Sequence, residues 1–67
     1  MYIFFFNSQI YIINQKINLL ELLIYFNYNL SMLVVEYNNF ICHRKHWKNI
    51  FITSNDKVEI ITIVGGG

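Results

Sequence analysis

Apolar residues fill the chain in short runs that polar residues interrupt every few positions, a pattern typical of a small domain rich in strands. The first two runs, residues 2–6 and 9–14, consist largely of β-branched and aromatic residues and predict two strands. Asn7 and Ser8 between them fit a two-residue hairpin turn, because Asn tolerates a positive φ. Both strands are apolar on both faces, which predicts either a covered sheet or a sheet with an exposed apolar face.

The strongest helix signal follows the second run. Asn18 is a suitable N-cap, and Glu21 stands three residues later, as in a capping box. Ile17 and Leu22 occupy the two positions of a hydrophobic staple. We expect residues 27–29, Asn-Tyr-Asn, to end the helix, because Asn is a good left-handed C-cap. The apolar residues at helical spacing, which would face a core, are Leu19, Leu22, Leu23 and Phe26.

The rest of the chain predicts shorter elements. We expect Trp47 to pin a polar, basic segment to the body as one short turn of helix. The whole order predicts one α+β domain over residues 1–64, a roll in which one main helix packs on one face of a mixed sheet. The predicted segments are a strand over 32–37, a turn at 38–39, a short strand at 40–41, the basic segment over 42–48, an extended piece over 50–52, a turn at 54–56 and a final strand over 57–64.

The composition fits a single domain with a dense core. The chain has 67 residues, of which 55% are hydrophobic and only 13% charged, below the roughly 25% usual for globular domains. No apolar run approaches the roughly 20 residues of a membrane-spanning helix, and no basic residue marks a signal peptide. We therefore expect no membrane partner and a protein that works where it is made. The net charge of +1 gives no electrostatic case for nucleic acid.

The single cysteine and the basic run beside it suggest two kinds of site that we consider weak. Cys42, His43 and His46 are the only Cys and His residues of the chain and crowd into five positions, a poor geometry for zinc. The run from His43 to Lys48 holds too few cations for strong phosphate affinity, and a charged docking surface is the plainer interpretation. Cys42 has no disulfide partner and no nearby carboxylate to support a nucleophile. We expect no metal site and no catalytic residue.

The three glycines of the chain are its last three residues, Gly65, Gly66 and Gly67. Random placement would produce this about once in 50,000 arrangements of the same composition. Elsewhere the chain favours residues of A/T-rich codons, which predicts an A/T-rich genome. Glycines fit a narrow enzyme channel and permit any backbone angle. We expect residues 65–67 to be a flexible tail whose final carboxylate a partner enzyme can activate, for example as an acyl-adenylate. The alternative is a frayed terminus.

Residues spread along nearly the whole chain match the sequence pattern of one known protein family. They are residues 18–23, Val35 to Asn38, Arg44 three residues before Trp47, residues 56–60 and the final Val64-Gly-Gly-Gly. This pattern resembles the ThiS family, the sulfur carriers of thiamine thiazole biosynthesis, which have a ubiquitin-like β-grasp fold. The family usually has Gly where this chain has Asn39 and Asn55, and Pro where it has His43. These are turn positions, so the expected fold is unchanged.

The resemblance implies a chemical role for one residue. Gly67 would carry an adenylate and then a thiocarboxylate, and Gly65 and Gly66 would deliver it. It implies a carrier, not an enzyme, with three partners: a ubiquitin-activating-type adenylyltransferase, a sulfur donor enzyme and thiazole synthase. ATP and Mg²⁺ would be bound by the adenylyltransferase, and the carrier would bind no cofactor. With the A/T-rich composition, it implies the plastid stroma or a bacterial cytoplasm.

Three alternative functions stay open. The small subunit of molybdopterin synthase would share the fold and the tail chemistry. A ubiquitin-like modifier would attach its tail to lysines of target proteins. A binding module would leave the tail inert.

Strand alternation predicts which side chains face the helix and which face outward. We expect an apolar docking face for the activator or the synthase on the outer side of the sheet. The predicted inner residues are Leu33, Val35, Val58 and Ile60 with Ile3 and Phe5, and the predicted outer residues are Val34, Glu36, Glu59 and Ile61 with Phe4 and Phe6. The predicted docking residues are Phe4, Val34, Ile61, Ile63 and Val64.

Overall fold

The structure, a computed structural model, describes residues 1–62 of the chain. These residues form five strands, one α-helix and two 3₁₀ helices. The strands are β1 (Tyr2–Phe6), β2 (Gln9–Ile13), β3 (Leu33–Tyr37), β4 (Phe40–Cys42) and β5 (Lys57–Thr62); the helix is α1 (Leu19–Tyr25), and the 3₁₀ helices are Leu30–Met32 and Arg44–Asn49.

The strands form one mixed sheet in the order β2-β1-β5-β3-β4. β5 lies in the middle, parallel to β1 and antiparallel to β3. Two hairpins, β1–β2 and β3–β4, therefore flank the strand that is last in the chain. With α1 on one face, this is the predicted α+β roll. Strand β5 was predicted to continue to Val64, and its positions 63 and 64 lie outside the described residues.

The turns of both hairpins rest on residues with positive φ. Asn7 and Ser8 have φ of 50° and 66°, and Asn38 and Asn39 have φ of 51° and 74°. Two successive positive φ angles define the type I′ turn, whose twist matches that of the flanking strands. Asn adopts this conformation more readily than most residues. Both predicted turns are confirmed.

Helix α1 begins with the predicted capping box. The Asn18 side chain accepts a hydrogen bond from the Glu21 N–H at 2.7 Å, and the Glu21 carboxylate accepts one from the Asn18 N–H at 2.9 Å. Two of the amide groups that a helix start leaves unpaired are thereby satisfied. The chain leaves the helix through Asn27, whose φ is 61°. Met32, predicted as the start of a strand, instead ends a 3₁₀ helix that Asn29 caps through its side chain.

The core lies between α1 and the inner face of the sheet. Trp47 closes one side of it from the second 3₁₀ helix, as predicted, and its indole N–H donates to the Cys42 carbonyl at 3.0 Å. The segment 50–52 is extended but stays outside the sheet, pairing with residues 17–19 beside the helix start. The buried apolar residues are Phe4, Phe6, Leu19, Leu22, Leu23, Val35, Trp47, Ile52 and Val58.

A buried carboxylate fixes the turn before β5. Asp56 is 6% exposed and accepts hydrogen bonds from the Thr53 N–H at 2.8 Å, the Thr53 hydroxyl, the Asn38 amide and the Tyr37 hydroxyl. The side-chain oxygen Oδ1 of Asn38 accepts a hydrogen bond from the Lys57 N–H at 2.8 Å, which links the β3–β4 turn to β5. Burial, together with the hydrogen bond to Asp56 and its charge, raises the pKa of Tyr37 to about 12.

The raised pKa of Tyr37 gives a pH-dependent prediction. The hydroxyl stabilises the fold in full below its unfolded pKa of about 10, and that stability is lost as pH rises towards about 12. We expect Tyr37→Phe to lower the free energy of unfolding at pH 7 by about 1–2 kcal/mol and to lose less stability than the wild type above pH 10. Urea titrations at several pH values measure both effects. Tyr25→Phe, at a tyrosine that is 77% exposed, is the control, and an equal loss in the two variants would contradict the prediction.

Candidate docking face

Strand β5 carries the chain towards its last residues through the middle of the sheet. Its final described residue, Thr62, pairs with Leu33 of β3. On its other side β1 ends at Phe6, and there the Asn7 side chain accepts a hydrogen bond from the Ile60 N–H at 2.8 Å. The predicted site residues Ile63, Val64, Gly65, Gly66 and Gly67 follow Thr62 in sequence and lie outside the described residues.

Val34 and Ile61 lie together on the outer face, where alternation placed them. They are a directly opposed pair of the β3–β5 ladder, one residue away from the Leu33–Thr62 pair. Ile61 is 50% exposed and Val34 is half-buried, whereas the next residue on β3, Val35, is fully buried in the core. We call Val34 and Ile61 the tail-side patch.

The prediction that Phe4 lies on the outer face is wrong. Phe4 is 1% exposed and Phe6 is 3% exposed, and both belong to the core, while Ile3 and Phe5 point outward. The rings of Phe6 and Phe26 stack at 4.7 Å, and Phe4 stacks on Tyr11. The run 2–6 is apolar throughout, so it offers no alternation to set the register, and an error of one residue exchanges the two faces.

Four residues of the first hairpin form a second apolar area of the outer face. Ile3 opposes Ile12 and Phe5 opposes Ile10, so one ladder links all four. They are 36–65% exposed. We call them the hairpin patch. The two-residue turn predicted at Asn7 and Ser8 sets which residues of β1 and β2 pair with each other. If the sequence had shown the correct face for any one of the four residues, this pairing would have placed the other three on the same face.

A polar row separates the two patches. Lys57 lies beside Phe5 in the β1–β5 pairing, and Glu59 lies opposite Glu36 in the β3–β5 pairing. Lys57 and Ile61 are four residues apart on one strand, which is about 13 Å at 3.3 Å per residue. On the outer face, charged residues therefore lie between these two patches, and Ile41 of β4, which is 64% exposed, lies beside Glu36.

The basic segment and its possible metal ligands lie beside β4. Residues Arg44–Asn49 form the second 3₁₀ helix, with His43 as its N-cap residue. No group of three His, Cys, Asp or Glu side chains within residues 1–62 is placed to hold a metal ion. Burial raises the pKa of the Cys42 thiol, the opposite of what an activated nucleophile requires.

A model of a known protein family matches nearly the whole chain. The ThiS family model matches residues 3–67, a span that includes the three glycines. The chain belongs to the ThiS family. Membership supports a small ubiquitin-like sulfur carrier, a non-enzymatic protein that works with sulfur-transfer enzymes.

The chain is also similar to proteins named ycf40 from other organisms. It is 59% identical to the "Uncharacterized protein ycf40" of Trieres chinensis over 64 residues, covering 96% of this chain and 88% of that protein. It is 34% identical to the ycf40 protein of Porphyra purpurea over 61 residues, covering 91% of this chain and 86% of the relative. Both relatives are matched over more than four fifths of their own length.

A solved structure has the same fold. The thiamine biosynthesis protein (ThiS) from Geobacter metallireducens superposes with a TM-score of 0.82, covering 97% of this chain and 99% of the other, at 22% identity. The match confirms the β-grasp architecture predicted from the sequence. Among residues 1–62, no helix has the length and apolarity to cross a membrane.

Proposed function

We propose that this ThiS-family protein carries sulfur on the carboxylate of Gly67 for the thiazole moiety of thiamine. A ubiquitin-activating-type adenylyltransferase, which binds ATP and Mg²⁺, joins the carboxylate to AMP and releases pyrophosphate. Hydrosulfide supplied by a donor enzyme attacks the acyl carbon, AMP leaves with one carboxylate oxygen, and a thiocarboxylate remains. Thiazole synthase then takes the sulfur. The carrier itself binds no cofactor in this scheme.

One observation gives this proposal its strongest support. The ThiS family match runs from residue 3 through Gly67, so it spans both the folded body and the glycines. The order of the sheet agrees with it, because the strand that leads towards the glycines is central and held on both sides up to Ile60. Thr62, the last described residue before the glycines in sequence, is paired with Leu33 beside the docking face.

We propose that the tail-side patch, with Ile63 and Val64 beyond it, docks the adenylyltransferase. Exposed apolar groups on a small monomer mark interaction sites when they cluster, and Val34 and Ile61 are the outer-face apolar residues nearest Thr62. Phe4, a docking residue in the sequence prediction, is excluded because it is buried. The hairpin patch lies farther from Thr62, with Lys57 and Glu59 between, so it serves as the comparison.

We further propose that the protein is plastid-encoded and acts in the stroma. The ycf40 names of its relatives suggest plastid genomes, and the A/T-rich residue usage agrees with this.

Docking through the tail-side patch predicts unequal effects of two matched substitutions. A purified ThiS-activating adenylyltransferase should catalyse ATP–pyrophosphate exchange when the wild-type carrier is added. We expect Ile61→Asp to raise the KM for the carrier by about 30-fold or more, since a buried apolar contact becomes an unpaired carboxylate. Ile12→Asp, at a residue of similar exposure in the hairpin patch, should change KM less than about threefold. Equal effects would contradict the assignment.

A failure of exchange with the wild-type carrier would overturn the proposed function itself. Isopeptide-linked adducts on lysines would indicate a protein modifier. Stable co-purification with a molybdopterin synthase large subunit would indicate the other sulfur-transfer role.

A further inference from the structure

Two glutamates of the outer face oppose each other in the middle of the sheet. Glu36 of β3 and Glu59 of β5 are direct partners in the ladder, so their Cβ atoms are about 5 Å apart. Both residues are half-buried. Directly opposed like charges destabilise an antiparallel pair. The fold therefore places two like charges in direct opposition at this pair.

The pair is only partly neutralised within the chain. Lys57 forms a salt bridge with Glu59 at 3.4 Å. This is the one salt bridge among residues 1–62, so Glu36 has no cationic partner in that part of the chain. Lys57 also lies within 3.5 Å of the Asn39 side chain, and the cations of the second 3₁₀ helix do not reach the pair. One negative charge on this row is left for an external partner.

The pair is also continuous with the tail-side patch. Glu36 is two residues from Val34 on one strand, and Glu59 is two residues from Ile61 on the next. Side chains two residues apart share a face of the sheet. The glutamate pair and the tail-side patch thus form one surface on the outer face of the sheet. This surface is apolar at the end nearest Thr62 and acidic at its other end. Apolar centres with polar rims are the common anatomy of protein interfaces.

We propose that this surface accepts a Lys or Arg side chain of the adenylyltransferase, placed between Glu36 and Glu59 while apolar residues cover Val34 and Ile61. The proposal rests on the proposed function and adds the chemistry of the partner. Two neighbouring carboxylates offer four oxygens to one cation, and an arginine fork can bond both at once. The opposed charges, unfavourable in the free carrier, become favourable in the complex and set the register of docking.

The stability of the free carrier tests the first half of this proposal. We expect Glu36→Lys to raise Tm by about 1–5 °C, because the repulsive pair becomes an attractive one, and Glu36→Gln to raise it by less. Thermal unfolding at low salt measures both. A lowered Tm in both variants would overturn the idea that the pair is repulsive. A rise in the wild-type Tm on adding millimolar Ca²⁺ or Mg²⁺ would make a metal ion the occupant and overturn the proposal.

Docking tests the second half, in the exchange assay with a purified ThiS-activating adenylyltransferase. We expect Glu36→Lys to raise the KM for the carrier about tenfold or more, although this variant is the more stable protein. Added NaCl should raise the wild-type KM steeply and the KM of Glu36→Gln less. The control is Asn14→Lys with Gln15→Lys, which changes the net charge equally at exposed positions far from the pair.

The possible outcomes distinguish this proposal from the proposed carrier function on which it rests. Exchange with the wild type and an unchanged KM for Glu36→Lys would overturn the docking role of the pair and leave the carrier function intact. A KM increase of the same size in the control would assign the effect to net charge and also overturn it. No exchange with the wild type would overturn both proposals.

Discussion

Deleting Gly67 is expected to abolish adenylation while the fold is retained. The proposed reaction requires a carboxylate at the position where the adenylyltransferase holds the α-phosphate of ATP. Removing one residue from an extended segment withdraws the carboxylate by about 3.5 Å. Because a misplacement of about 1 Å can cost about 100-fold in rate, we expect a loss of at least that size. ATP–pyrophosphate exchange measures the rate, and thermal unfolding measures the fold.

Adding one residue after Gly67 should have the same effect, because it places a peptide bond where the carboxylate must react. The matched control is one residue added before Met1, at the opposite terminus of the chain, which should leave exchange within about twofold of the wild type. A carrier that lacks Gly67 and still supports exchange would show that the reactive group lies elsewhere.

Phe4→Ala is expected to destabilise the domain more than any substitution on the outer face. Phe4 is 1% exposed and packs on Tyr11. Truncating a buried Phe to Ala removes its transfer free energy and leaves a cavity, at a cost of about 3–5 kcal/mol. A domain of this size has roughly 3–10 kcal/mol in total, so the substitution should remove roughly a third of the stability or more. Urea denaturation followed by circular dichroism measures this.

Ile3→Ala, at the neighbouring residue, is the comparison for Phe4→Ala. Ile3 is 41% exposed on the outer face, so we expect its truncation to cost about 1 kcal/mol or less. The two substitutions together test which face of β1 meets the helix. If Ile3→Ala were the more destabilising variant, Ile3 would face the helix as the sequence predicted, and the burial of Phe4 in the core would be contradicted.

The sequence predicted those features that depend on residues close together in the chain. The capping box of Asn18 and Glu21 needs only a spacing of three, and it is present with both hydrogen bonds. The Asn-rich turns follow from the tolerance of Asn for positive φ. The inner positions of β3 and β5 could be assigned because Glu36 and Glu59 mark the outer face within largely apolar runs.

Other features depend on contacts between distant residues and could not be predicted. The face of β1 is decided by the stacking of Phe6 on Phe26, which no local pattern in residues 2–6 reveals. The burial of Asp56 depends on Tyr37 and Asn38, which lie 18 or 19 residues away in sequence. The opposition of Glu36 and Glu59 depends on the register between β3 and β5, which the sequence alone does not specify.

The intact mass of the carrier tests its central role most directly. The wild-type protein would be incubated with a ThiS-activating adenylyltransferase, MgATP and sulfide, and then analysed by mass spectrometry. We expect a species about 16 Da heavier, because sulfur replaces one oxygen, and we expect fragmentation to place the change on Gly67. An unchanged mass, with an adenylyltransferase shown to be active on its own carrier, would contradict the sulfur-carrier function.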